Sequence, residues 1–534
     1  MKNKYLAICL FGGLLGFSAC TDGFESDNEI KGGFNEDLKE IDFQNLTSPF
    51  ETIQSGIYFN YGGAGLNWVW QVMQALEHDM FSGYFHDQVA KFNDKNSVYN
   101  LHSGWTDAEW QYTYGFVYTE IQKAENNFKD NDNLRGYQGI TQIMKVELMH
   151  RVADTYGPLV YHKLGEGPRV YGLQEAYTQF FADLDAGIDL ISKYLAAGGD
   201  NNKFQSYDML TNGKTLKDWI KFANSLRLRL AMRISNVDAA TAKAQVIKAL
   251  SEPNGVLEGA KETIAVAGST YTNPLNAVAG WGEVYMGATM ASVLTGYNDP
   301  RTEKWYNKAT MKGYENQYLG IPQGVMMKEG DANIYGVYSS LNTNTIKEKS
   351  PAVLMTAAEI WLLRAEAALR GYSNEDVKTC YENGVTTAFT QWDCAGASSY
   401  LSSDAVPADY KDVIVNGKKG KDMKALITIT PKWDLSASKE IQLEKIITQK
   451  WLACWPDGYE AWAEQRRTGY PKLFKVQTNA SGGAIDTEIM VRRLPFSTTV
   501  SGSNPTQYSE LTSKLSGTDN GGTRLWWDAG KNNF

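Results

Sequence analysis

Residues 350–372 read SPAVLMTAAEIWLLRAEAALRGY. Leu354, Ala357, Ala358, Trp361, Leu362, Ala365, Ala368 and Leu369 recur at steps of three and four, which a 3.6-residue helix gathers on one face. Ser350 is a capping residue, Pro351 suits a first turn because its missing amide hydrogen is not needed there, and Gly371 can close the C-terminus. Together these signals predict a helix over the stretch. Its alanines keep the apolar face thin, so a neighbouring helix can approach closely. A second periodic stretch follows around residues 374–389, and the two read as a helix-turn-helix pair. Such pairs stacked side by side build tetratricopeptide-like superhelices, although no strict repeat of about 34 residues is present.

Amphipathic patterns over residues 107–128, 140–155, 174–195, 216–235 and 239–250 predict further helices. The expected fold class is all-α, a tetratricopeptide-like helix-pair superhelix with a loop-rich remainder. From about 254 to 349 the composition shifts to Gly, Asn, Thr and Tyr, as in TYTNPLNAVAGWGEVY at 270–285, and helical periodicity weakens. Long ordered loops tend to carry function, so this region is the expected ligand-binding part. A second polar, loop-like stretch covers about 393–436, and the tail at 521–534, GGTRLWWDAGKNNF, reads as extended.

The chain has 534 residues, 43% of them hydrophobic, enough for one large core or two to three ordinary ones. Its net charge of −9 is spread without a basic block, which argues against nucleic acid as a partner. Residues 1–20, MKNKYLAICLFGGLLGFSAC, carry Lys2 and Lys4, an apolar run over 5–17, then Ser18 and Ala19 before Cys20. This is a signal peptide, with Cys20 where bacterial lipoprotein signals place the lipidated residue. Phe17 departs from the leucine-like residue usual three before that cysteine. The expectation is a signal over 1–19, a lipid on Cys20 and one domain over 20–534. The apolar run is shorter than the ~20 residues a spanning helix needs, so the membrane link is the lipid anchor. The acidic TDGFESDNE that follows reads as a solvated tether, and resembles the signal that sends lipoproteins of Bacteroidetes-type bacteria to the outer face of the outer membrane. Beyond Cys9 and Cys20 the cysteines are Cys380, Cys394 and Cys454. Their spacing makes neither a disulfide framework nor a zinc site, and leaves a Cys380–Cys394 bond undecided.

The five histidines are His78, His86, His102, His150 and His162. His150 and Asp154 stand four apart on a predicted helix, a spacing more often an ordinary helix-face pair than a metal site. There is no HExxH, GxSxG, Walker loop or strand-linked GxGxxG, and YGGAG at 61–65 lacks the Lys-Ser/Thr of a phosphate loop, so it reads as a turn. Nothing identifies an enzyme, although carboxylate-pair glycosidases carry no short motif and stay open as a class. The distinctive feature is aromatic content: 15 Trp, 30 Tyr and 20 Phe. Pyranose rings stack their C–H faces on such planes while Asn, Asp, Gln and Arg bond the hydroxyls. For any single tryptophan a core position is the more common explanation. Those in Gly/Asn-rich loops are the better ligand candidates, which places Trp105, Trp281 and Trp305, with Tyr99 and Tyr285, ahead of Trp219, Trp361 and Trp462.

Seven segments in order resemble one family, the SusD/RagB outer-membrane lipoproteins of Bacteroidetes. They are LEHDMFSGYF (76–85), VADTYGPLVYHK (152–163), DWIKFANSLRLRLAMRIS (218–235), NDPRTEKWY (298–306), LMTAAEIWLLRAEAALRG (354–371), IITQKWLACWPDGYEAWAEQRRTGYP (446–471) and RRLPF (492–496). The 446–471 block looks like the second SusD-like subgroup, and in the family that segment is scaffold. Trp451 and Trp455, four apart, then read as core, residues 456–458 break the helix, Trp462 sits on the next one, and Arg466 and Arg467 fall in its last turn before Gly469.

The resemblance implies four tetratricopeptide-like helix pairs and a lipid-anchored, non-catalytic lid over a SusC-like TonB-dependent transporter in the outer membrane, facing the cell exterior. The lid captures oligosaccharide on a shallow aromatic surface and passes it in. No cofactor is implied, and a structural calcium is left open. The competing readings are a surface glycosidase on an all-α scaffold, and the same lid role with a peptide or other non-glycan cargo.

Overall fold

The computed structural model describes residues 44–58, 67–87, 92, 94–129, 131–211, 215–267, 271–325, 335–414, 420–530 and 533–534. The expected signal peptide and Cys20 lie outside them. The chain divides into a unit over Met1–Ser48 and a body over Pro49–Phe534. The axis of the body is the helix Arg135–Tyr156, in which every residue from Gly136 to Tyr156 is buried. Helix Leu173–Ala196 packs along it. Gly139 and Gly187 make this possible: a methyl group on Gly139 would lie 2.6 Å from the Gly187 carbonyl oxygen, and one on Gly187 2.9 Å from the Gly139 oxygen. Helices Leu216–Arg233 and Ala239–Ser251 continue the layer as a pair. The first starts at a reciprocal cap between Thr215 and Asp218, the second at Asp238, whose carboxylate accepts from the Thr241 amide.

The 350–372 stretch folds differently from its sequence signals at one end. Residues Ala352–Met355 form a strand paired antiparallel with Ile264–Val266, and the helix runs Ala357–Leu369. Thr356 caps it by accepting from the Glu359 amide, while the Ser350 hydroxyl accepts from the Lys347 amide and closes a turn. The backbone of 352–355 finds ladder partners about ninety residues upstream, an option that helical periodicity cannot register. Gly371 closes the helix at φ +72°, as expected. The following helix, Val377–Gln391, packs closely on it: a side chain on Gly384 would begin 2.6 Å from Leu362 Cγ and 3.3 Å from the Ala358 oxygen. Cys380 and Cys394 are both free thiols.

The fold is all-α and helix-rich, with three two-stranded sheets among the described residues. Among its described residues, the loop-rich region at 254–349 also holds three helices, Pro274–Gly280, Ala288–Gly296 and Arg301–Trp305. They are too short to impose a visible period. Among the described residues no helix is long and apolar enough to cross a membrane.

The C-terminal arginine and tryptophan block lies inside. Trp451, Trp455 and Trp462 are buried, and helix Lys439–Cys454 ends before 456–458 while Gly458–Thr468 follows. Arg467 donates to Glu366 at 2.8 and 2.6 Å and to Glu464 at 2.6 Å, and Arg466 donates to the carbonyls of Asp154 and Arg492 at 2.7 and 2.8 Å. Arg229 grips Glu359 at 2.7 Å, Arg233 grips Glu460 at 2.5 Å, and Arg151 grips Asp457 at 2.9 Å. Arg467, Arg229, Arg233 and Arg151 therefore each face a carboxylate, the condition under which burial of a charge is tolerated, while Arg466 is held by backbone carbonyls. Asp154, considered above as a metal partner of His150, instead accepts from Tyr177 at 2.5 Å and Arg233 at 3.3 Å.

Candidate functional site

Strand Phe85–Asp87 pairs antiparallel with Val284–Met286, placing Asp87 opposite Val284 and joining the N-terminal part of the body to its loop-rich middle. Just before the second strand, the short helix Pro274–Gly280 ends. Asn273 caps its start by accepting from the Leu275 amide, and Gly282, at φ +66°, turns the chain out of its end. Between helix and turn sits Trp281, whose surface is 45% exposed. The short helix Asn67–Trp70 packs against Pro274–Gly280 and carries Trp68, 50% exposed, while Trp70 two residues on is fully buried.

A bond ties the segments that flank them: Gln71 Nε2 donates to Glu283 Oε2 at 2.5 Å. Trp68 lies three residues before the donor and Trp281 two before the acceptor. Of the fifteen tryptophans, these two are exposed. Both indoles leave much of their apolar surface in water, on elements that pack against each other.

The strand pair behind these indoles carries buried polar groups, with His86 and Asp87 lining a small space beside Ser97 and Tyr335. Asp87 is buried, and its burial, then the nearby Glu283 carboxylate, push its carboxyl up to about 7. Near neutrality it therefore both accepts and donates. Burial pushes His86 down to about 3, so its ring is neutral, with Nδ1 unpartnered. Tyr285 stands opposite His86 on the paired strand, and its hydroxyl lies 3.8 Å from where a side chain on Gly282 would begin. That hydroxyl donates to the Gly336 carbonyl at 3.3 Å, and the ring is 9% exposed, so Tyr285 offers an edge at most. A separate cleft of about 520 Å³ in the loop-rich region is lined by Tyr314, Tyr318, Tyr338, Asn316 and Gln317.

The other sequence-ranked candidates part company. Trp305 is fully buried, stacked on Trp455 at 4.5 Å with 14° between planes and edge-on to Trp392 at 5.7 Å, so neither face is open to a ligand. Tyr99 is also core, 1% exposed in a left-handed conformation at φ 63°. Both are corrected here to packing roles: their loops are polar, but loop composition does not report which way a ring turns. Trp105 is half-buried in a group of its own, edge-on to Phe92 at 5.3 Å and tilted on His102 at 5.4 Å. Trp68 was not among the candidates. Its signal lies in the sequence: it stands three residues after the Gly-rich stretch 61–65, which is outside the described residues, as Trp281 sits in a Gly/Asn-rich stretch.

Comparison with known proteins gives a consistent picture. Residues 27–528 match the SusD-like family described as Susd and RagB outer membrane lipoprotein. A SusD homologue from Bacteroides vulgatus is 56% identical, with 93% of this chain and 100% of that one covered at a TM-score of 0.90. A chitin-binding SusD homologue from Flavobacterium johnsoniae is 35% identical, covering 92% and 100% at 0.85. A SusD homologue from Bacteroides thetaiotaomicron is 29% identical, covering 90% and 99% at 0.80. No curated protein sequence matches the chain.

Proposed function

The chain belongs to the SusD-like family of outer-membrane lipoproteins, and on that footing we propose that it is a non-catalytic surface protein that binds oligosaccharides and delivers them to a SusC-like TonB-dependent transporter. The observation that carries the glycan reading is the pair of exposed indoles, Trp68 and Trp281, on packed elements whose flanking segments the Gln71–Glu283 bond joins. Two spaced aromatic planes offer successive sugar rings a stacking face, while Asp87 and Glu283 bond hydroxyls. Trp105 and Tyr285 extend the proposed site, and no cofactor is needed for it. The protein is proposed to hang from a lipid on Cys20, with the signal at 1–19 removed and the rest one domain, on the outer face of the membrane.

The chitin-binding relative makes chito-oligosaccharides the first probe to try. A glycan-array screen on the purified protein, followed by titration calorimetry, tests the reading. Binding clustered on one linkage, and weakened by Trp281→Ala, supports it. Binding of peptides in preference to every glycan, or release of reducing ends from a bound oligosaccharide, would replace it with one of the competing readings. Co-purification with a TonB-dependent transporter encoded nearby tests the partner separately.

A further inference from the structure

We propose that the protein has a second ligand site, remote in the fold from Trp68 and Trp281, which takes a small uncharged polyhydroxylated molecule such as a free monosaccharide. The site is a concavity of about 700 Å³ between helix Tyr118–Phe128, the first turns of helix Arg135–Tyr156 and the turn at 162–166. That volume is in the range of ligand pockets, roughly 300–1,000 Å³.

Its floor is built and rigid. Glu125 accepts from Gln142 at 2.8 Å, Lys145 at 2.9 Å and His162 at 2.5 Å, and His162 bonds Tyr118 through its other ring nitrogen at 2.5 Å. Burial opposes the charge on Glu125, yet the His162 hydrogen bond and the Lys145 ammonium outweigh it and bring the carboxyl down to about 2. This carboxylate is fully engaged, and the unused bonding capacity lies beside it.

Gln138 is 8% exposed and lines the concavity, and its carboxamide makes no side-chain hydrogen bond among the described residues, so it is open to a molecule in the concavity. One turn on, Gln142 lies behind the lining and is held to Glu125 through its Nε2, so the carboxamide free to bond a ligand from this helix is that of Gln138. Gln122 and Asn126, four apart on one face of the facing helix, add two more carboxamides to the wall.

The lining chemistry selects the ligand. Carboxamides both donate and accept, which matches hydroxyls. The charges around the rim neutralise one another, Arg135 with Asp132 at 2.5 Å and Lys163 with Glu166 at 3.5 Å; among the described residues Lys129 is the exception. A zwitterionic peptide needs separated free charges of both signs, which these pairs do not offer. No aromatic ring lines the concavity apart from the His162 imidazole, so a long glycan has no plane to stack on, and a single small ring is the better fit.

The test is ligand-observed NMR on the purified protein with glucose, galactose and N-acetylglucosamine as probes, and glycylglycine as the counter-probe. At least one monosaccharide is expected to bind. Gln138→Leu should weaken that binding tenfold or more, Asn126→Ala several-fold, and Trp281→Ala not at all. Asn126 is exposed on its helix, so this variant decides the matter if Gln138→Leu fails to fold. The proposal is overturned if no monosaccharide binds, if glycylglycine binds in preference, or if binding survives Gln138→Leu or Asn126→Ala and is lost in Trp281→Ala. The last outcome would assign the sugar to the aromatic surface. Because the two sites share no lining residue, failure here leaves the oligosaccharide reading standing, and the reverse also holds.

Discussion

Gln71 Nε2 and Glu283 Oε2 meet at 2.5 Å across 212 residues of sequence. The bond joins the helical segment after Trp68 to the residue that precedes the strand after Trp281, and with the packing of the two short helices it links the segments that carry the exposed indoles.

Removing either indole should affect binding and spare the fold. Trp68→Ala and Trp281→Ala are each expected to weaken oligosaccharide binding about tenfold or more, close to 1.4 kcal/mol, while stability stays within ~0.5 kcal/mol. Trp305→Ala should do the opposite, costing ~3–5 kcal/mol of stability because it empties a packed stack. Calorimetric titration beside denaturant unfolding separates the cases; a Trp305→Ala variant of unchanged stability that binds poorly would return that residue to the site.

Gly139→Ala is predicted to destabilise the body by ~1–3 kcal/mol, since its methyl group would lie 2.6 Å from the Gly187 carbonyl oxygen and force two helices apart. Gly187→Ala should act through the same contact, so the double variant should fall short of the sum. Urea unfolding of all three variants reads this directly.

The buried ion network predicts a specific acid response. Burial opposes the charges on Glu366, Glu460 and Glu464, but Arg467, Arg233 and Lys450 among their neighbours outweigh it and hold all three carboxyls below the ordinary range. Carboxyls depressed in the folded chain stabilise it fully above their unfolded value of about 4.5, and that stability drains away as pH falls below it. Arg467→Met should cost up to ~3–5 kcal/mol near neutral pH by leaving Glu366 to Arg370 alone and Glu464 to Arg233 and Lys450. Its deficit should narrow on acidification, when these carboxyls take up protons. Thermal melts across pH check both effects.

Asp87 has the opposite sign. Its carboxyl sits at about 7 in the folded protein against 3.8 in an exposed chain, so this group removes stability progressively as pH rises from about 4 to 7. Asp87→Asn is expected to raise stability by ~1–3 kcal/mol at about pH 8 and to leave it unchanged at about pH 4. Carbon-detected NMR of the Asp87 carboxyl should give a midpoint near 7; a midpoint near 4 would show the group is not shielded.

Much of the scaffold is legible in the chain itself. The helices expected at 140–155, 174–195, 216–235 and 239–250 appear as Arg135–Tyr156, Leu173–Ala196, Leu216–Arg233 and Ala239–Ser251, because a 3.6 period and a capping residue are local properties. The burial of Trp451, Trp455 and Trp462, and the closing role of Gly371, were equally readable.

What the sequence determined alone was therefore the all-α class, the family and most helix positions, since each rests on neighbours within a few residues or on an ordered set of local segments. Only the tertiary structure decided that 352–355 is a strand, through partners at 264–266, and that Trp305 turns inward onto Trp455 while Trp68 and Trp281 face water. Ring exposure depends on which distant residues arrive to cover it. Trp305 gains its cover from 150 residues downstream, and no pattern around an indole encodes whether such a partner comes.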